Sequence, residues 1–155
     1  MYLQQLYNDL IKDTYKPSPE VAFIVEKPKI REVFAAEFKD RIVHHVFINR
    51  IYDAMESYFS DASYNCRKLR GNINACKKLQ EYMTGDDMWC LSLDIEAFFT
   101  SIDRKQTLHD LIRFIEVWVD KSLVESTVQL ATIILKNDVT SKCKLVSPKY
   151  KWNSL

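Results

Sequence analysis

Apolar residues recur at intervals of three and four positions in five stretches of the chain, which is the spacing of one buried face on an α-helix. In the longest stretch Val43, Val46 and Phe47 belong to the repeating set. The pattern predicts helices at residues 2–15, about 37–59, about 72–83, 104–119 and 121–136. The first helix ends before the Pro17-Ser18-Pro19 segment, because proline cannot continue a helix.

Short runs rich in strand-forming residues lie between these helices. They are residues 21–26, 30–36, 64–67 and 88–95. Pro28 and Lys29 separate the first two runs and indicate a hairpin, while a turn at Gly85 precedes the last run. The residues after 139 have no clear period. Helices joined to few strands predict an α/β chain of the α+β kind, helix-rich with a small antiparallel sheet.

The composition is that of one globular domain with a core. The chain has 155 residues, 47% of them hydrophobic, with only 2 glycines and 4 prolines, which disfavours disorder. Its 4 cysteines form no Cys-x-x-Cys pair, so we expect reduced thiols and no structural zinc site. No leader-like or transmembrane-length apolar run is present, and we therefore expect a cytoplasmic protein without membrane contact.

Positive charge is distributed unevenly, although the formal net charge is only +1. Basic residues cluster at residues 27–31, 67–70 and 136–151. Nucleic acids are bound by local basic surface and not by total charge, so this distribution keeps nucleic-acid binding open.

Asp94 is the residue with the clearest candidate chemistry. It follows an apolar run, and a carboxylate at the end of a buried strand is a suitable ligand for Mg²⁺. The alternative is an aspartate that caps the following helix, which is a common role for this side chain. Phe99 lies five positions later. Its ring could pack beneath an incoming sugar and exclude a 2′-hydroxyl, or it could be an ordinary core residue.

Three segments together resemble one family. The segment around Asp94, LDIEAFFTSID at residues 93–103, resembles the first catalytic motif of bacterial reverse transcriptases of the retron, group II intron and diversity-generating types. Upstream, KPKIREVFAAEFKDRIVHH at residues 27–45 is similar to the fingers motif of the same family. Between them, YNCRKLRG at residues 64–71 resembles a segment that these enzymes carry at that place. The resemblance covers residues 21–119 in the order of the family.

This resemblance implies an RNA-directed DNA polymerase that transfers nucleotides from dNTPs with the help of Mg²⁺. Asp94 would be the first carboxylate that holds two Mg²⁺ ions, with the backbone carbonyl of Ile95 as a supporting ligand. Phe99 would be the steric gate that favours deoxynucleotides. Arg31, with Lys29 as a weaker candidate, would bind the incoming triphosphate, since a planar guanidinium suits phosphate oxygens.

The resemblance also implies partners for the basic loop. Arg67, Lys68 and Arg70 would contact phosphates of the RNA template or the DNA primer. The alternative is a solvated loop without a ligand.

Two later motifs of the family, Pro-Gln-Gly and Tyr-x-Asp-Asp, do not follow Asp94, and no thumb is present. We therefore expect one truncated fingers–palm unit at residues 1–155, with the fingers side at about 1–85 and the start of the palm at about 86–155. One metal-binding carboxylate cannot hold two Mg²⁺ ions, so we expect no polymerisation by this chain alone. A palm cut within its sheet would expose an apolar face and favour self-association.

Two other functions stay open. The first is a nucleic-acid-binding module that has the fold but no catalytic activity. The second is a nucleotidyl cyclase, whose palm-like sheet also carries an Asp-Ile-x-x-Phe segment. The cyclase interpretation leaves residues 27–45 unexplained.

Overall fold

The computed structural model describes residues 2–85 and 87–152, apart from the side chains at 99, 100, 149 and 150. The helices are α1 (Tyr2–Ile11), α2 (Phe38–Tyr58), α3 (Gly71–Tyr82), α4 (Phe98–Ser101), α5 (Arg104–Trp118), α6 (Val124–Lys136) and α7 (Lys149–Trp152). The strands are β1 (Val21–Val25), β2 (Arg31–Ala35) and β3 (Lys144–Leu145). All five predicted helices are confirmed, and the chain is α+β and helix-rich.

The chain divides into two compact units. The first comprises Met1–Arg50 and Arg104–Leu155, and the second comprises Ile51–Asp103. One boundary falls within α2, after Arg50. Neither boundary coincides with the border near residue 85 that the resemblance implies, and the division into fingers and palm stays a prediction.

The sheet belongs to the first unit and has β1 in its centre. The predicted hairpin is confirmed, with β1 and β2 antiparallel and Val25 opposite Arg31. The prediction of a purely antiparallel sheet is wrong, because β3 pairs in parallel with the other edge of β1. Ser147 extends this pairing, since its Oγ accepts a hydrogen bond of 2.8 Å from the backbone nitrogen of Ile24.

Helices supply most of the buried apolar side chains of the first unit. Leu6 of α1, Val43 and Phe47 of α2, Ile115 of α5 and Leu130 of α6 are all buried. α5 and α6 pack against each other. The short predicted strand at residues 64–67 is absent, because this segment forms turns in which Cys66 has a φ of 57°, and a left-handed residue interrupts an extended strand.

A buried hydrogen-bonded group joins the segment after α1 to the start of α2. The Tyr15 hydroxyl donates to Oδ1 of Asp40 at 2.6 Å, and the Ser18 backbone nitrogen donates to Oδ2 at 3.0 Å. Asp40 is 2% exposed. Burial and the hydrogen bond to Asp40 raise the pKa of the Tyr15 hydroxyl well above its usual range, so it remains a donor. Asp40 also lies in the first turn of α2, where negative charge is favourable.

We expect Tyr15→Phe to lower the free energy of unfolding by about 1.5–3 kcal/mol, the range for a lost hydrogen bond to a charged group. Urea unfolding followed by circular dichroism measures this change. Tyr7→Phe is the matched control, because Tyr7 is exposed and lies on α1. Equal effects of the two substitutions would contradict a structural role for the Tyr15 hydroxyl.

Glu20 immediately precedes β1 and is half-buried. Burial raises the pKa of its carboxyl group above the ordinary value, and the negative charge of Asp40 adds to this effect, while His44 and Arg104 oppose it. The folded state therefore favours the protonated form. The stabilisation associated with that proton is present below the ordinary pKa and is lost as the pH rises through the raised value.

We therefore expect Glu20→Gln to be more stable than the unsubstituted chain at pH 7. The difference should shrink as the pH falls below about 4, where the carboxyl group becomes protonated in both states. Thermal unfolding at a series of pH values measures it. Glu32→Gln, an exposed position in β2, is the control. If the unsubstituted chain is the more stable of the two at pH 7 and loses this advantage as the pH falls, ionised Glu20 stabilises the fold and the prediction is wrong.

Candidate functional site

Asp94 lies in the second unit, on an exposed segment without regular structure. The predicted strand at residues 88–95 is absent. Apolar residues alternate here as in a strand with one buried face, with Trp89, Leu91 and Leu93 at every second position. These side chains are nevertheless 98%, 81% and 82% exposed. The prediction that Asp94 ends a buried strand is therefore wrong for this structure.

The strand is missing because no segment among the described residues pairs with it. A strand needs a neighbouring backbone to satisfy its amide and carbonyl groups, and an isolated one is not stable in water. In the described residues the only sheet contains β1, β2 and β3, all outside the second unit. Alternation of apolar residues specifies which face would be buried, but it does not supply the partner.

Within the part of the chain that the structure describes, the carboxylate of Asp94 has one hydrogen bond, and it is local. Its Oδ1 accepts a hydrogen bond of 3.0 Å from the backbone nitrogen of Ile95. Among the described residues, no group of three or more histidine, cysteine, aspartate or glutamate side chains could hold a metal ion. Asp94 and the carbonyl of Ile95 are oxygen ligands of the type that Mg²⁺ prefers, but they do not complete a site.

Phe99 lies in α4, the short helix that follows Asp94. Ala97 precedes this helix with a φ of 51°, in the left-handed region. The predicted role of Phe99 concerns its side chain, which lies outside the described part of the structure.

Lys29 and Arg31 lie in the first unit, on the β1–β2 hairpin. Both are exposed, Lys29 in the turn and Arg31 at the first position of β2. Within the described residues neither side chain has a hydrogen bond or an ion pair. Their positive charges are accessible to a ligand.

Arg67 is buried, unlike the other basic residues of its loop. Its side chain is 4% exposed and pairs with Glu56 at 2.9 Å. Nη1 also donates to the backbone carbonyls of Ser60 at 2.8 Å and Ser63 at 3.1 Å. The hydrogen bond from Arg67 holds the pKa of the Glu56 carboxyl group below its usual range. In this structure Arg67 fixes the loop and offers almost no accessible surface for a phosphate, which neither sequence interpretation anticipated.

Lys68 and Arg70 point to the surface of the second unit. The Lys68 ammonium group lies over the ring of Tyr52 at 5.3 Å, and the Arg70 guanidinium lies over Tyr64 at 5.9 Å. Arg70 also donates to the carboxylate of Asp61 at 2.7 Å, and the Arg70 side chain is 29% exposed. This hydrogen bond lowers the pKa of the Asp61 carboxyl group. The contact of Lys68 and Arg70 with nucleic acid stays a prediction.

Sequence reasoning missed a third pair of a cation and an aromatic ring beside them. Lys78 lies over Tyr82 at 5.2 Å, and both residues line a surface cavity of about 380 Å³ together with Tyr64 and Arg70. Glu81 accepts a hydrogen bond from Lys78, and this contact raises the pKa of the Lys78 ammonium group. The four-residue spacing of Lys78 and Tyr82 on α3 is the signal in the sequence that could have identified the pair.

No family model matches the chain, and no curated protein or solved structure is significantly similar to it. The resemblance to reverse transcriptases therefore has no independent support and stays a prediction. Among the described helices, none combines the length and the apolar character that crossing a membrane requires.

We expect Arg67→Met to lower the free energy of unfolding by about 2–4 kcal/mol, because the loop loses the ion pair of the buried Arg67 side chain with Glu56 and its hydrogen bonds to two loop carbonyl groups. Arg70→Met is the matched control three positions away and should have a much smaller effect, since its ion pair is exposed. Chemical denaturation of both variants measures the difference. If the two variants are equally stable, the buried contacts of Arg67 do not fix the loop.

Proposed function

We propose that the chain is the fingers region and the first part of the palm of a reverse transcriptase, which extends a DNA primer on an RNA template with dNTPs. The observation that carries this proposal is the order of three segments, at residues 27–45, 64–71 and 93–103, which resemble motifs of that family in the same order. The α+β architecture and the hairpin immediately before the long helix α2 are compatible with it.

The exposed hairpin supports a role in binding the incoming nucleotide. Arg31 and Lys29 have no competing partner among the described residues, so their charges can bind phosphate oxygens. The guanidinium group of Arg31 can form two parallel hydrogen bonds, and we assign it the main contact with the triphosphate. Contact with the leaving pyrophosphate would stabilise the negative charge that develops during nucleotide transfer.

The surface of the second unit supports contact with a nucleic-acid strand. Lys68, Arg70 and Lys78 provide positive charge, and each lies over a tyrosine ring. Cationic groups interleaved with aromatic rings bind backbone phosphates and stack on bases. We therefore assign template or primer binding to Lys68 and Arg70, with Lys78 as an addition, and give Arg67 a structural role.

The implied Mg²⁺ ions do not fit the described residues. Two ions need several carboxylates within a few ångströms, and Asp94 has no such neighbours in the described part of the chain. We therefore derive no catalytic step through the metal. The proposal is that further carboxylates outside this chain complete the site and that the chain alone is inactive.

The exposed apolar strip formed by Trp89, Leu91, Leu93 and Ile95 supports the same view. Such a strip is unfavourable in water and is expected to be covered in the functional protein. Further palm strands would cover it in a complete polymerase. In the isolated chain, self-association through the strip is the alternative, and sedimentation velocity measures it.

A catalytically inactive nucleic-acid-binding module is the second candidate. The observation that favours it is that Asp94 belongs to no group of three or more possible metal-binding side chains among the described residues. This candidate keeps the basic and aromatic surface and assigns no chemistry to Asp94.

Primer extension on an RNA template annealed to a DNA primer, with dNTPs and Mg²⁺, tests the proposal. We expect extension by the complete product of the gene that encodes this chain and none by the 155-residue chain. Asp94→Asn and Asp94→Glu in the complete product should lower the rate by about a hundredfold or more, because a metal ligand supplies several kcal/mol. Glu96→Gln is the control, an exposed acid two positions away.

Binding of the same RNA–DNA hybrid, measured by fluorescence anisotropy, separates the two candidates. Binding without extension by the complete product would favour the inactive module. A complete product that neither binds nor extends the hybrid contradicts both. Extension by the 155-residue chain that depends on Asp94 would contradict the proposed need for further carboxylates.

A further inference from the structure

A cleft of the first unit lies between α1, α2 and α6 and is lined by none of the residues assigned to the proposed polymerase. It encloses about 590 Å³, a volume within the usual range of small-molecule sites. A smaller cavity shares Leu10, Val46 and Arg50 with this cleft and adds the apolar side chains of Leu130 and Ile133. Sites of this kind combine apolar walls with a few polar groups that fix the orientation of a ligand.

Arg50 is a basic residue in the lining of this cleft. It is half-buried, and its Nη1 donates to Oγ of Ser126 at 3.0 Å. No carboxylate of the described residues lies within ion-pair distance of it. In the described part of the chain its one hydrogen-bond partner is the neutral hydroxyl of Ser126, so this partly desolvated guanidinium has remaining donors that can bind an anionic oxygen.

The other charged groups of the cleft limit the charge of that anion. Asp13 and Glu125 both line it. A doubly charged phosphate on Arg50 would meet repulsion from these two carboxylates, whereas a single carboxylate meets less. A planar carboxylate also matches the two parallel donors of a guanidinium.

Apolar surface continues beyond the mouth of the cleft. Tyr7 and Ile11 line the mouth, and both are exposed, as is Leu3, at four-residue intervals on α1. An apolar body attached to the carboxylate would therefore be in contact with side chains along its length.

We propose that this cleft binds an organic monocarboxylate with an aryl or short alkyl body. The carboxylate lies on Arg50 and Ser126, and the body lies against Leu10, Val46 and Leu130. None of these residues belongs to the proposed polymerase site, so the cleft and the polymerase proposal can fail independently.

Titration of the ¹⁵N-labelled chain with 3-phenylpropionate, followed by NMR, tests the proposal. We expect saturable shifts at residues of α1, α2 and α6, with a dissociation constant of about 1 mM, typical of a small fragment. The neutral analogue 3-phenylpropionamide has the same body and should bind at least about tenfold more weakly, since the charge-assisted contact is lost.

Arg50→Gln should weaken binding of 3-phenylpropionate by at least about tenfold, as expected for a lost ionic contact. Arg41→Gln is the matched control on the same helix, exposed and outside the cleft, and should leave binding unchanged. Gln129→Glu retains Arg50 and places a further carboxylate in the lining, so it should also weaken binding. It keeps the test decisive if Arg50→Gln does not fold.

Three results would overturn the proposal. Equal affinity for the acid and the amide would mean that Arg50 does not select an anion. Shifts that do not saturate, or that lie outside the three helices, would mean that the cleft is not the site. Undiminished binding by a folded Arg50→Gln or Gln129→Glu variant would exclude the proposed contact.

Discussion

The hydrogen bonds to the buried carboxylate of Asp40 are the constraint on which the first unit depends. Asp40 is in the first turn of the longest helix, and its two oxygens accept from the Tyr15 hydroxyl and the Ser18 backbone. A buried carboxylate without such partners would be strongly unfavourable. The segment between α1 and β1 must therefore follow one path, and this path places β1 where β2 and β3 can pair with its two edges.

The sequence predicted those elements whose stability comes from a continuous apolar face. α2 and α5 lie within two residues of their predicted bounds, because helical spacing marks a buried face over many turns. The sequence could not predict β3. The two residues of β3 are extended because they pair with an edge of β1, and no local pattern marks them as a strand. The strand at residues 88–95 failed for the converse reason, since its pattern is strong but no partner is present in the described residues.

The roles of the candidate site residues could be predicted only in part from the sequence, for a related reason. Arg67 and Arg70 are three positions apart in one basic loop and have the same side chain, yet one fixes the loop from within and the other lies at its surface. Residue type and spacing cannot separate these roles, because the difference depends on carbonyl groups at Ser60 and Ser63 that the folded loop turns inward. The hairpin that carries Arg31 was predicted correctly, since Pro28 marks the turn between two strand-forming runs.

The exposed strip of alternating apolar residues also affects how the chain behaves in solution. Residues 88–95 combine high strand propensity with one charge and no proline, which is the signature of a segment that stacks into fibrils. The single charge belongs to Asp94, so this carboxylate acts as a gatekeeper against aggregation. Replacing it with a neutral residue changes colloidal stability as well as chemistry, and only the variant with glutamate separates the two effects.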